Sequence, residues 1–236
     1  MNSTKKTARA AGLLWLLVAV TGGFGLFYIR SYVIVAGDAA ATAGNIMASE
    51  SLFRAAIVGT LLAQVFLFFF GLTLFQLFKK VDKWLAAVLL ASIMMTAGIG
   101  IVNTFNHFGA LIVLSQADFL KVFSPEQLNA IAMFLLRQSN TGQGLLEIFW
   151  TPYYFSFGLL IIRSKYLPKI FGILLMVASA GFAINLLDKF LIPQFYPAFF
   201  TQLAMTLGGL SVLPTLLWLL IMGVKDTVLV EGAYVK

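Results

Sequence analysis

Six apolar runs, each about as long as a bilayer is thick, constrain this chain more than any other feature. They cover residues 9–29, 54–78, 84–114, 144–162, 170–187 and 199–222. Each reaches the roughly 18–20 residues that a helix needs to cross about 30 Å of hydrocarbon. In lipid the backbone must satisfy its own hydrogen bonds, so such runs fold as helices; a barrel would show short alternating segments. Of the 236 residues 61% are hydrophobic and 11% charged, too few charges to cover a soluble domain. The expectation is an all-α polytopic protein: one transmembrane domain, residues 1–236, with six transmembrane helices.

Residue counts remove several chemistries. The chain has no cysteine, hence no disulfide, iron–sulfur cluster or thiolate zinc site. A single histidine, His107, argues against bis-histidine haem and multi-histidine hydrolase centres. Met94 and Met95 read as core filler rather than copper ligands. No cofactor or metal is predicted. The net charge of +7 is not read as a nucleic-acid signal, because the basic residues lie between apolar runs, where they orient the protein and meet anionic lipid.

Those basic residues set the expected topology. Eleven of sixteen lie on one side: Lys5, Lys6, Arg9, Lys79, Lys80, Lys83, Arg163, Lys165, Lys169, Lys225 and Lys236. Arg30, Arg54, Lys121, Arg137 and Lys189 lie on the other. The positive-inside rule puts both termini in the cytoplasm (N-in, C-in). Lys5 and Lys6, the first apolar run and Ala39–Ala41 also resemble a secretory signal. The run is longer than a signal core, and Arg30 precedes any cleavage site, so it is read as the first span.

The inner turns are short. Asp82 is placed to cap the third span, and Pro168 suits the first turn of the fifth. Outer connections are longer. Residues 31–53 have room for a short helix after Asp38. In the next, Ser124, Pro125 and Gln127 read as a cap, a first-turn proline and a capping-box partner. Leu128, Ile131, Ala132 and Leu135 follow at helical spacing, which predicts an amphipathic helix in the outer loop between helices 3 and 4. The last outer connection carries Pro193 and Pro197. Phe70-Gly71-Leu72 and Phe157-Gly158-Leu159, each followed by a basic turn, suggest an internal repeat of two hairpins.

Three stretches carry a family resemblance: GDAAATAGNIMASESLFR over residues 37–54, FSPEQL over 123–128 and RSKYLPKIFG over 163–172. The chain, from about residue 8 to 193, resembles the bacterial membrane family known only as domain of unknown function 4386. The resemblance implies a six-helix protein of the bacterial inner membrane and brings no catalytic residues with it.

Polar side chains inside spans are costly, so their positions are the best functional evidence in the sequence. Arg54 opens the second span; Asn103 and His107 lie four apart on the third, with Asn106 beside them; Gln143 and Glu147 lie four apart on the fourth; Asn185 and Asp188 end the fifth; Gln202 lies early in the sixth. At about 1.5 Å per residue all fall in the outer half, with Asn103 and His107 roughly 8–14 Å from the outer surface. If these faces converge they line an outer cavity of Arg54, Asn103, His107, Glu147, Asn185 and Gln202. Phe149, Trp150, Tyr153 and Tyr154 supply aromatic walls, and Pro152 bends the helix beside them.

Each has a plainer reading. Glu50 and Arg54 form an i,i+4 ion pair as readily as Arg54 meets Glu147. Asn103, His107 and Asn185 serve as interhelical hydrogen-bond partners, the Trp and Tyr residues as interfacial anchors. Gly22, Gly23, Gly25, Gly208 and Gly209 permit close helix packing.

The leading expectation is binding, and transport as an extension of it, of a small amphipathic or lipid-like molecule, with Arg54 attracting an anionic headgroup. The partners are then membrane lipids and that ligand, with no nucleic acid. The alternatives are a sealed bundle acting as a non-catalytic assembly partner, in a homo-oligomer or with another membrane protein, and an intramembrane hydrolase. The hydrolase requires His107 to reach Glu147 or a serine such as Ser156 or Ser179.

Overall fold

The computed structural model describes residues 3–190 and 198–225. The connection carrying Pro193 and Pro197, and Lys236, lie outside them. All the described secondary structure is helical, and no strand occurs among these residues. In chain order the helices are α1 (Ser3–Tyr28), α2 (Ala39–Ala48), α3 (Glu50–Phe78), α4 (Lys83–Leu114), α5 (Pro125–Leu145), α6 (Glu147–Ser164), α7 (Lys169–Phe190) and α8 (Ala198–Ile221).

Five helical stretches are long and apolar enough to cross a membrane: Ser3–Val33, Glu50–Phe78, Lys83–Leu114, Pro125–Ser164 and Lys169–Asp188. Gly209–Ile221 is a shorter apolar segment within α8. Apolar side chains such as Phe69, Val102 and Phe105 are exposed on these helices, as lipid-facing surfaces require. Met95 is among them, so it faces outward and is not core filler.

Local chemistry explains the helix boundaries. Asp38 starts α2 by accepting from the Ala41 N–H at 2.8 Å. Ala39–Ala41, the stretch that resembles a cleavage site, is the first turn of that helix. Asp82 accepts from the Leu85 N–H at 2.9 Å and caps α4. Pro168 sits one residue before α7, and its carbonyl accepts from the Phe171 N–H. At α5 the Ser124 N–H donates to Gln127 Oε1 (2.8 Å) while the Gln127 N–H donates to Ser124 Oγ (3.3 Å), a reciprocal capping box. α1 ends in a wide turn over Ile29–Val33, closed by the Ile34 N–H on the Ile29 carbonyl at 3.1 Å. One boundary differs from expectation. α5 continues through Thr141, Gly142, Gln143 and Gly144 to Leu145, and only Leu146 separates it from α6.

The chain forms two compact units. The first comprises Met1–Leu17, Phe66–Ala97 and Gly144–Lys236, the second Val18–Val65 and Gly98–Gln143. In the first unit, Trp15 stacks on Phe70 (5.1 Å between centroids) and meets Phe157 (5.9 Å), while Phe78 packs on Phe157 and Tyr166. Arg163 pairs with Asp82, tying two basic turns together. Burial raises the Tyr166 phenol pKa above its ordinary value. The tightest crossing joins α6 and α7. A Cβ on Gly158 would lie 2.5 Å from the Gly172 carbonyl oxygen, and one on Gly172 2.6 Å from that of Gly158. Gly71, the repeat counterpart of Gly158, faces Ile93 and Leu90, while Gly158 also faces Met176. Leu90 and Met176 occupy matching positions, six residues beyond Trp84 and Ile170.

The second unit is built around Val33, Ile46, Phe53, Ala56, Ala110 and Leu136, all buried. Gly22 and Gly25 of α1 let α3 approach closely, whereas Gly23 has open space around it. In the first unit Gly209 is equally open. These two glycines are not packing positions, because they lie off the faces that touch a neighbour.

Candidate functional site

The polar side chains gather in two clusters, one in each unit. In the second unit, Asn103 and His107 lie one turn apart on α4 and face α5. Asn103 Nδ2 donates to the Ser139 carbonyl at 3.0 Å and reaches its hydroxyl at 3.4 Å. His107 Nε2 lies 3.1 Å from Ser139 Oγ. The hydroxyl donates to Nε2 in the Nδ1–H tautomer and accepts from it in the other. Asn106 Nδ2 donates to the Asn103 carbonyl and Oδ1. All three central residues are buried. Gly142 makes the arrangement possible, because a Cβ there would lie 2.2 Å from Asn103 Oδ1. This contact also accounts for the glycine-containing segment that is helical rather than a loop: the packing of α5 on α4 outweighs local helix propensity.

Ser139 is the residue that sequence reasoning missed. It lies in a polar stretch that reads as a connection, and nothing in its spacing ties it to a histidine 32 positions away. Ser156 and Ser179 are engaged elsewhere, Ser156 with carbonyls of its own helix and Ser179 Oγ with the Thr151 carbonyl at 2.7 Å. The Ser139–His107 pair has the separation of a nucleophile and its base. However, His107 Nδ1 has no hydrogen-bond partner among the described residues, so no third group orients the ring. Ser139 is itself buried, 3% exposed.

The first unit holds the second cluster. Glu147 is 5% exposed, and among the described residues it is the one buried carboxylate. Asn185 Nδ2 donates to its Oε2 at 2.6 Å. Trp150 and Tyr154 continue the same stripe of α6, and Phe182 continues that of α7. Phe182 lies 5.3 Å from Trp150 and 5.0 Å from Tyr154, both edge-on, and Tyr153 meets Tyr154 at 4.7 Å. The register is that of an antiparallel hairpin: Glu147 opposite Asn185, Trp150 opposite Phe182, Thr151 opposite Ser179, then the Gly158–Gly172 crossing. Four predicted site residues, Glu147, Trp150, Tyr154 and Asn185, are therefore neighbours.

Arg54 takes the local option. Its side chain pairs with Glu50 at 2.7 Å and is 58% exposed. The Gln202 side chain lies outside the described residues. No group of three or more His, Asp or Glu side chains able to hold a metal comes together among the described residues. Apart from the clusters, α2, the end of α4 and the start of α5 enclose a half-open groove of about 430 Å³, lined by Ala43, Met47, Leu114, Leu128 and Asn129.

Apolar helices of spanning length with a carboxylate buried between two of them define an integral membrane protein. The chain belongs to the family described as Domain of unknown function (DUF4386), whose model matches residues 10–223. Neither a curated protein nor a solved structure matches it.

Proposed function

We propose that this protein binds a small amphipathic molecule against the α6–α7 cluster. The supporting observation is the buried Glu147 carboxylate, held by Asn185 and flanked by Trp150, Tyr154 and Phe182. A carboxylate in an apolar layer is expensive, and a stable bundle alone does not require one. Glu147 lies 16 residues before Arg163 and Asn185 16 after Lys169, so both stand about 24 Å from the basic turn at 1.5 Å per residue, still within a hydrocarbon layer of about 30 Å. Asn103 and His107, 20 and 24 residues beyond Lys83, stand about 30 and 36 Å away, at the far boundary. We read that second cluster as a clamp between α4 and α5.

Native mass spectrometry tests the binding role. Protein released from membranes in mild detergent retains an amphiphile, and the retained fraction falls by about half or more in Glu147→Gln. Equal retention in parent and variant contradicts the reading.

The same proposal includes the topology. α8 is the sixth span, both termini lie in the cytoplasm of a bacterial inner membrane, and α5 lies on the outer side as a partial lid. The chain has no cysteine, so single cysteines report cleanly. Lys121→Cys reacts with an impermeant maleimide in spheroplasts, whereas Lys80→Cys and Lys165→Cys react only after the membrane is opened. The reverse pattern contradicts the orientation.

A further inference from the structure

We propose that the groove between α2, the end of α4 and the start of α5 holds the alkyl chain of an uncharged amphiphile, such as a monoacylglycerol. All ten lining residues belong to the second unit, so the site stands independently of the binding role proposed for α6–α7. Its position is unusual for an apolar recess. Leu114 lies 31 residues beyond Lys83, about 46 Å from the basic turn at 1.5 Å per residue, against about 30 Å of hydrocarbon. A helix tilt of about 20° still leaves it about 13 Å beyond that layer. The chains of bulk lipid therefore do not fill the groove, and its apolar wall faces water unless a ligand covers it.

The lining selects the occupant. Ala40, Ala43 and Gly44, at helical spacing on α2, keep the space open, and a Cβ on Gly44 would meet nothing within 4 Å. Met47, Leu114 and Leu128 supply apolar contact. The volume of about 430 Å³ lies within the roughly 300–1,000 Å³ of small-molecule sites. No charged residue lines the groove, so a charged group entering it would lose hydration and gain no counter-charge. Its polar members are two amides, Gln116 and Asn129, and neither hydrogen-bonds through its side chain to another described residue. A side-chain amide both donates and accepts, which suits the ester carbonyl and hydroxyls of a neutral headgroup. Gln116 also holds a left-handed backbone, with φ at 57°, a strain of the sort that gathers at binding positions. Phe105 and Ile112, exposed and two turns apart on α4, give an alkyl chain an apolar surface to follow from the bilayer toward the groove.

The test is photo-crosslinking of the full chain in nanodiscs with a monoacylglycerol that carries a diazirine in its acyl chain, followed by mapping of the labelled residues. Labelling is expected on the groove residues of α2 and α5 and is competed by unlabelled monoacylglycerol. Gly44→Leu fills the space without meeting a neighbour and lowers that labelling about fivefold or more. Gly98→Leu, equally unhindered but away from the groove, leaves it unchanged. The same chain on a carboxylate or a trimethylammonium labels the groove about fivefold less. Labelling that is not competed, or that persists undiminished in Gly44→Leu, overturns the inference. Equal labelling by either charged probe overturns the neutral headgroup. Labelling confined to α6 and α7 and lost in Glu147→Gln supports the earlier binding role and overturns the groove.

Discussion

Replacing Gly158 with leucine should lower the stability of the bundle by about 3 kcal/mol or more, at the upper end of what overpacking costs. The cause is backbone against backbone. The new Cβ would lie 2.5 Å from the Gly172 carbonyl oxygen, 2.8 Å from Met176 Cγ and 3.2 Å from the Met176 N atom. Of these only the methionine side chain can turn aside, so α6 and α7 have to separate. Separation also stretches the Ser179–Thr151 and Asn185–Glu147 hydrogen bonds, which lie along the same seam. Gly98→Leu and Gly209→Leu serve as controls, because nothing lies within 4 Å of a Cβ at either position. Both should stay within about 0.5 kcal/mol of the parent. Reversible denaturant unfolding in micelles measures all three, and a Gly158→Leu curve that overlays the controls contradicts the packing described.

Spanning helices are legible in a sequence because the bilayer imposes one length and one polarity on them. Caps are legible for a related reason: Asp38, Asp82 and Ser124 act on N–H groups two or three residues away, so the whole interaction lies within a few positions. What fails to show is the direction in which a helix faces. Gly22 and Gly23 look alike in sequence, yet only Gly22 meets a neighbour. Met95 looks like Met94 and points outward. The crossing of α1 on α8 at Gly12, with a Cβ position 2.4 Å from the Leu220 N atom, carries no sequence signal at all.

The candidate site was legible to the same degree. Residue type and depth singled out Glu147, Asn185, Asn103 and His107, because a polar group in an apolar run is conspicuous. Their partners were not. Ser139 belongs to a segment polar enough to pass for a loop, and its role comes from the packing of α5 on α4. For Arg54 the sequence offered two partners with equal claim, and the near one prevails: an i,i+4 pair needs no tertiary alignment.

Removing the Asn185 donor from Glu147 should be the second large effect. Asn185→Leu leaves a buried carboxylate without a hydrogen bond 2.6 Å long, at a cost of about 1.5–3 kcal/mol for a bond to a charged group. Glu147→Gln costs less, because it takes away the charge that had to be desolvated and keeps a carbonyl oxygen for the Asn185 amide. In the combined Glu147→Gln, Asn185→Leu variant, the loss of Asn185 should matter far less than it does in the parent, since there is no carboxylate left to lose a charge-assisted hydrogen bond. The coupling energy between the two positions, measured by a double-mutant cycle in micelles, therefore tests most directly whether α6 and α7 hold a buried carboxylate between them. A coupling of about 1 kcal/mol or more is predicted, toward the upper end of hydrogen bonds measured between membrane helices. Strict additivity of the two substitutions would contradict it and would return Glu147 to the headgroup region, facing water.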